Sequence, residues 1–127
     1  MKKVIISTEE APSAIGPYSQ AVKAGHFLFV SGQLPINPET GDLVGGSIKE
    51  KTGMVIENIK VILEKAGADL DSVVKTTIYL TDMSDFSAVN SIYTRYFGNS
   101  LPARSTMQVA ALPKGAEIEM EVVALVR

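Results

Sequence analysis

The chain has 127 residues, no cysteine, a single histidine and a formal net charge of −2, and 46% of its residues are hydrophobic. That apolar content lets one domain bury roughly two-thirds of its unfolded surface, so a folded core is expected rather than disorder. The inventory excludes a disulfide framework, a thiolate nucleophile and a Cys-based metal site, gives no basic block for nucleic acid, and leaves His26 unable to make a zinc site alone.

No apolar run reaches the ~18 residues of a membrane span. The apolar segment in Met1-Lys2-Lys3-Val4-Ile5-Ile6-Ser7 is too short for a signal peptide. A single cytoplasmic domain over residues 1–127 is expected.

Lys3 to Ser7 is β-branched and reads as an edge strand, followed by a polar loop from Thr8 to Ser13. Ile15 to Val22 and His26 to Gly32 flank a small turn at Ala24-Gly25 and predict a β-hairpin. His26 sits just after that turn, where an imidazole needs no special role. Leu34 to Gly46, with two prolines and three glycines, predicts an ordered loop without a phosphate-binding pattern.

Ser47-Ile48-Lys49-Glu50 is a capping box. Ile48, Val55, Ile56, Ile59, Ile62, Leu63 and Ala66 then keep helical spacing until Gly67 stops the helix. Ser72 to Thr81 alternates as a strand. Ser84-Asp85 opens a second helix with Phe86, Val89, Tyr93, Tyr96 and Phe97 on one side, closed by Gly98. Asn90 lies at the edge of that apolar side, as a buried brace or as a group facing a pocket.

Pro102 feeds a strand in which Arg104, Thr106 and Gln108 alternate with Ser105, Met107 and Val109. After a turn at Leu112 to Ala116, a last strand runs from Glu117 to Val126 with Glu117, Glu119 and Glu121 on one face. Beyond Glu121 that face turns apolar at Val123 and Leu125, and a strand apolar on both sides must be covered on both. Two helices cover one side of such a sheet, so a second subunit is expected on the other. The elements predict an α+β domain, a mixed sheet with both helices on one face.

If the last two strands pair as an antiparallel hairpin, Arg104 and Thr106 share a face with Glu119 and Glu121. Arg104, whose guanidinium fork fits a carboxylate, is then either a ligand-gripping residue or one half of an inter-strand ion pair. Glu119 could hold a water. No Gly-x-Ser-x-Gly elbow, Ser-His-Asp set or helical carboxylate–His metal pair is present.

Gly16-Pro17-Tyr18-Ser19-Gln20-Ala21, Val30-Ser31-Gly32-Gln33, Asp85-Phe86 with Val89-Asn90, Pro102-Ala103-Arg104-Ser105, Leu112-Pro113-Lys114 and Ile118-Glu119 occur in this order. Together they resemble the RidA (YjgF/YER057c/UK) family of reactive-intermediate deaminases over essentially the whole chain. The resemblance implies a chorismate-mutase-like α+β fold with a mixed six-stranded sheet, two helices on one face, and a homotrimer with clefts between subunits. It implies hydrolysis of enamines and imines such as 2-aminoacrylate/2-iminopropanoate and 2-iminobutanoate to 2-keto acids and ammonia, with no cofactor or metal.

Residue by residue, the resemblance makes Arg104 the group that grips the substrate carboxylate and Glu119 the group that positions the attacking water. Tyr18, Ser31, Gly32 and Asn90 border the cleft. Thr106 stands where many relatives carry a cysteine, keeping a hydroxyl but no thiol chemistry. A non-catalytic protein that binds small carboxylates would use Arg104 equally well. An endoribonuclease or translation inhibitor fits the acidic balance poorly, since phosphate contacts need Lys or Arg clusters. No membrane or nucleic-acid partner is expected.

Overall fold

The computed structural model describes residues 2–127. Its strands are β1 (Lys3–Ile6), β2 (Ala21–Ala24), β3 (Phe27–Gln33), β4 (Val73–Leu80), β5 (Ala103–Gln108) and β6 (Ile118–Leu125), with helices α1 (Ile48–Lys65) and α2 (Phe86–Phe97). The six strands form one sheet in the order β1-β2-β3-β6-β4-β5. β4 and β5 pair in parallel; every other neighbouring pair is antiparallel.

The connections explain this order. The β2–β3 hairpin turns at Gly25, whose φ of 61° suits a two-residue turn. From β3 the chain crosses through α1 to β4, and from β4 through α2 to β5. Right-handed crossovers advancing in the same direction place both helices on one face. The first crossover leaves a gap between β3 and β4, which β6 fills by pairing antiparallel with both.

The core lies between that face and the helices. Leu28, Val30, Ile78, Leu80, Ile118, Met120 and Val122 meet Val55, Ile56, Ile59, Ile62, Leu63, Val89 and Phe97, all buried. At about 1.5–3 kcal/mol for each fully buried large apolar side chain, this layer dominates the folding energy. Ser47 caps α1 by accepting from the Glu50 N–H at 3.2 Å, and Gly67 ends it at φ 81°.

Four local expectations are corrected. The final two strands do not pair with each other: β5 is an edge strand beside β4, and β6 is central. A bulge between Val73 and Lys75 buries Val73 and leaves Val74 exposed, breaking the simple alternation of β4. The second helix starts after a short 3-10 turn, where Asp82 rather than Ser84 or Asp85 accepts a capping bond, from the Ser84 N–H at 2.9 Å. Gly98 ends α2 in a right-handed conformation, φ −63°, so a left-handed stop is not its role. A Cβ there would lie 2.5 Å from the Thr94 carbonyl oxygen, and close approach explains the glycine.

The opposite face carries no helix. Phe27, Phe29, Val123, Leu125 and Met107 point there, with Phe27, Phe29 and Leu125 close to half exposed. No helix of the described residues is long and apolar enough to cross a membrane.

Candidate active site

The helix-free face meets the loops in a cleft of about 650 Å³ lined by Tyr18, Ser31, Gly32, Leu34, Lys114 and Glu119 among others. Its floor is shaped by a bulge in β3. Val30 pairs with Val122 and Gln33 with Met120, so Ser31 and Gly32 stand where the facing strand offers one residue, Glu121. The bulge brings Gly32 against Glu119: a Cβ on Gly32 would fall 2.7 Å from the Glu119 carboxyl carbon.

Two buried amides hold the walls. Gln20 accepts from the Thr8 N–H at 2.7 Å and donates to the carbonyls of Thr8 and Pro12 at 3.0 and 2.8 Å. Asn58 on α1 donates to the Ile36 carbonyl at 2.9 Å. Each ties an irregular segment to the core and satisfies backbone groups that the loop cannot pair itself. Ser31 donates through Oγ to the Ser19 carbonyl at 2.6 Å, fixing the segment that carries Tyr18. Gly16, at φ 115°, opens the tight turn before Tyr18, closed by the Tyr18 N–H to the Gly16 carbonyl at 2.9 Å.

Glu119 is half-buried on this wall. Burial raises its carboxyl above the ordinary range, and the Glu121 charge pushes the same way. Glu121 accepts from the Tyr79 hydroxyl, and that bond, with burial and the two carboxylates, pushes the Tyr79 phenol up to about 12. A carboxyl raised in this way takes up and releases protons closer to neutrality than an exposed one.

Arg104 lies elsewhere. Parallel pairing aligns it with Thr76 and aligns Thr106 with Ile78, both on the helix-covered face; Glu119 aligns with Tyr79 on the opposite face. The expected sharing of one face by Arg104, Thr106, Glu119 and Glu121 is therefore overturned, and so is the inter-strand ion pair. Parallel pairing with β4, rather than a hairpin with β6, sets the orientation of β5.

The Arg104 guanidinium carbon sits 4.7 Å from the Tyr93 ring centroid and 5.4 Å from that of Phe86. Nη1 donates to Asn90 Oδ1 at 2.7 Å, so Asn90 both braces the arginine and faces a pocket. That second cleft, about 450 Å³, is lined by Asn90, Tyr93, Thr94, Phe97, Leu101 and Arg104 among others. Tyr93 is itself anchored by a 2.8 Å hydrogen bond with Thr76. Arg104 has no carboxylate partner among the described residues, where the ion pair is Lys51–Glu117. Two aromatic rings and one amide hold the guanidinium plane, and its remaining donors are not engaged by a carboxylate of the described residues.

The Thr106 hydroxyl is buried and has no hydrogen-bond partner among the described residues. The structure thus groups Tyr18, Ser31, Gly32 and Glu119 in one cleft and Asn90 with Arg104 in another. Sequence reasoning assigned no role to Phe86 and Tyr93 beneath Arg104, or to the Gln20 and Asn58 braces. The spacing of Phe86, Asn90 and Tyr93 along one helix was the available signal for the arginine's platform.

The family model Ribonuc_L-PSP, described as Endoribonuclease L-PSP, matches residues 8–126. A RutC family protein of Pyrococcus abyssi is 59% identical, covering 98% of each chain. The human protein named 2-iminobutanoate/2-iminopropanoate deaminase is 50% identical over 95% of this chain and 88% of its own length. The solved structure of YyfA from Yersinia pestis, a member of the conserved Rid protein family, superposes with a TM-score of 0.96 at 52% identity, covering 98% of this chain and 100% of that one.

Proposed function

The chain belongs to the endoribonuclease L-PSP family, the RidA/YjgF group that includes reactive-intermediate deaminases, and from this we propose that it hydrolyses 2-iminopropanoate (the tautomer of 2-aminoacrylate) and 2-iminobutanoate to 2-keto acids and ammonia. The observation that carries this reading is the opposed placement of Arg104 and Glu119. An unpaired, preoriented guanidinium occupies one face and a proton-exchanging carboxyl the other, so a site using both draws them from two copies of the chain. The uncovered face with Phe27, Phe29 and Leu125 supports such an assembly, and the homotrimer is part of the proposal.

In the assembled site Arg104 holds the substrate carboxylate in a bidentate grip, while Asn90 fixes the guanidinium plane. Tyr18, Ser31 and Gly32 of the neighbouring copy border the imine, and the Thr106 hydroxyl gains a polar partner. Glu119 takes a proton from water as the water oxygen bonds to the imine carbon, and the imine nitrogen gains a proton. The carbinolamine then breaks its C–N bond. Glu119 passes its proton to the amino nitrogen and takes up the hydroxyl proton as the C=O forms, so the nitrogen leaves as ammonia. One water is consumed, and oxidation state is unchanged. Orientation and proton transfer supply the rate enhancement.

The test is the decay of enzymatically generated 2-iminobutanoate with the wild-type chain and Arg104→Ala, with size-exclusion on the same samples. Loss of turnover in a variant of unchanged size supports the reading; full activity in the variant ends the role of Arg104. The family's endoribonuclease description favours a second reading, RNA cleavage. Against it stand the net charge of −2 and the single cation, Lys114, lining the larger cleft. RNA cleavage that survives Arg104→Ala and repurification would favour the nuclease.

A further inference from the structure

Charge in the larger cleft poses a difficulty for an anionic substrate. Glu119 lies in its wall with Glu121 behind it, and Arg104 of the same chain opens on the other face. A 2-imino acid approaching Glu119 therefore meets like charge before it reaches a neighbour's arginine. The lining contains one positive side chain, Lys114.

Its position is conformationally costly. Lys114 sits in the turn before β6 at φ 60°, ψ 15°, a left-handed conformation that a residue with a Cβ adopts reluctantly. Gly115 follows at φ 71°, so the glycine that would ordinarily absorb the turn is one residue later. This conformation brings Nζ to 3.4 Å from the Gly41 carbonyl, across from the loop that forms the opposite rim. Lys114 and Glu119 line one cavity without forming an ion pair, so the ammonium and the carboxylate remain separately available. Strain that persists at a cleft rim is a reason to look for a role there.

We propose that Lys114 is a specificity-determining residue for the deamination: its ammonium, held over the cleft mouth against the Gly41 carbonyl, draws the anionic imino acid past Glu119. This rests on the function proposed above and adds a cation supplied by the Glu119 side of the composite site. It contacts no reacting atom, so its effect falls on capture rather than on the chemical step. An exposed rim charge acts through encounter and ionic strength.

Lys114→Asn separates charge from turn geometry, because asparagine tolerates the left-handed region better than lysine and carries no charge. The expected result is a KM for 2-iminobutanoate raised roughly fivefold with kcat unchanged, a flatter dependence of kcat/KM on salt, and an unchanged thermal midpoint. Lys114→Arg keeps KM near wild type. An unaltered KM and salt dependence in Lys114→Asn overturns the proposal, as does equal loss of kcat in the asparagine and arginine variants. Calorimetric binding of 2-oxobutanoate to the same proteins separates the two readings. Turnover in wild type with no Lys114 effect on KM or 2-oxobutanoate binding leaves the deaminase standing and removes Lys114. Absence of both turnover and binding in wild type removes both.

Discussion

Arg104 and Glu119 occupy opposite faces of one sheet, the first aligned with Thr76 on the side of the helices and the second with Tyr79 on the side without them. No side-chain rotation brings them together within a chain.

Complementation between two inactive variants follows from that separation. Arg104→Ala and Glu119→Gln are each expected to lose turnover by a hundredfold or more, on the order of a lost positioning or proton-transfer group. Unfolded together in equal amounts and reassembled, they regain about a quarter of wild-type activity, because heterologous interfaces pair one copy's arginine with another's glutamate at random. Imine decay before and after co-refolding measures it. No recovery would remove the composite site, since the two residues cannot meet within one chain.

Gly32→Ala is expected to cut activity sharply while sparing the fold. The new Cβ would lie 2.7 Å from the Glu119 carboxyl carbon and must displace that side chain, whereas the Gly32 backbone does not need a left-handed φ. Turnover falls by about 10²-fold, the usual penalty for misplacing a reacting group by about 1 Å. Circular dichroism and the thermal midpoint report the intact fold.

Glu119→Gln is expected to be more stable than wild type at neutral pH. Burial and the Glu121 charge raise the Glu119 carboxyl in the folded state. A group raised on folding favours the native state fully below its unfolded value, and that contribution is lost as pH rises through the folded value. At pH 7 the ionised glutamate therefore costs stability that glutamine does not. The two midpoints converge below about pH 4, where wild type is protonated as well. A lower midpoint for the variant at pH 7 contradicts this. Turnover should fall more than binding of 2-oxobutanoate; equal losses assign Glu119 to binding.

Thr106→Val tests the unpartnered hydroxyl. A buried polar atom with no partner among the described residues bears an uncompensated desolvation cost, so valine is neutral or stabilises by up to about 1 kcal/mol, read from the urea midpoint. If the hydroxyl serves the assembled site, imine turnover drops about tenfold in the same protein. Unchanged turnover confines Thr106 to packing.

The sequence shows α1 plainly because its signals are local: Ser47 before its first turn, Gly67 after its end, and apolar residues three and four apart between them. The turn of the β2–β3 hairpin is visible for the same reason, although its first strand is Ala21–Ala24 and the expected stretch from Ile15 to Gln20 is loop. The partner of β5 is not visible, because it is chosen by the α2 crossover and by the gap that β6 fills, both long-range effects. A clue was available. The apolar residues on both faces of β6, Val123 and Leu125 as well as Met120 and Val122, are those of a central strand, whereas five of the six residues in β5 are exposed, as at an edge. Reading β6 as half of a terminal hairpin sent Arg104 to the wrong face. The cleft residues were legible only as ordered motifs, since a bulge at Ser31-Gly32 and a buried amide at Gln20 leave no periodic trace.

The edge position of β5 also bears on how such a site can diversify. Core strands resist substitution because each change leaves a void or a clash, yet β5 contributes no fully buried side chain to the core. Arg104, which it carries, rests on Phe86, Asn90 and Tyr93 of α2. In the proposed composite site, changes along this ribbon on either side of Arg104 would retune which ligand is held with little penalty in folding, whereas the strand carrying Glu119 is held by the core.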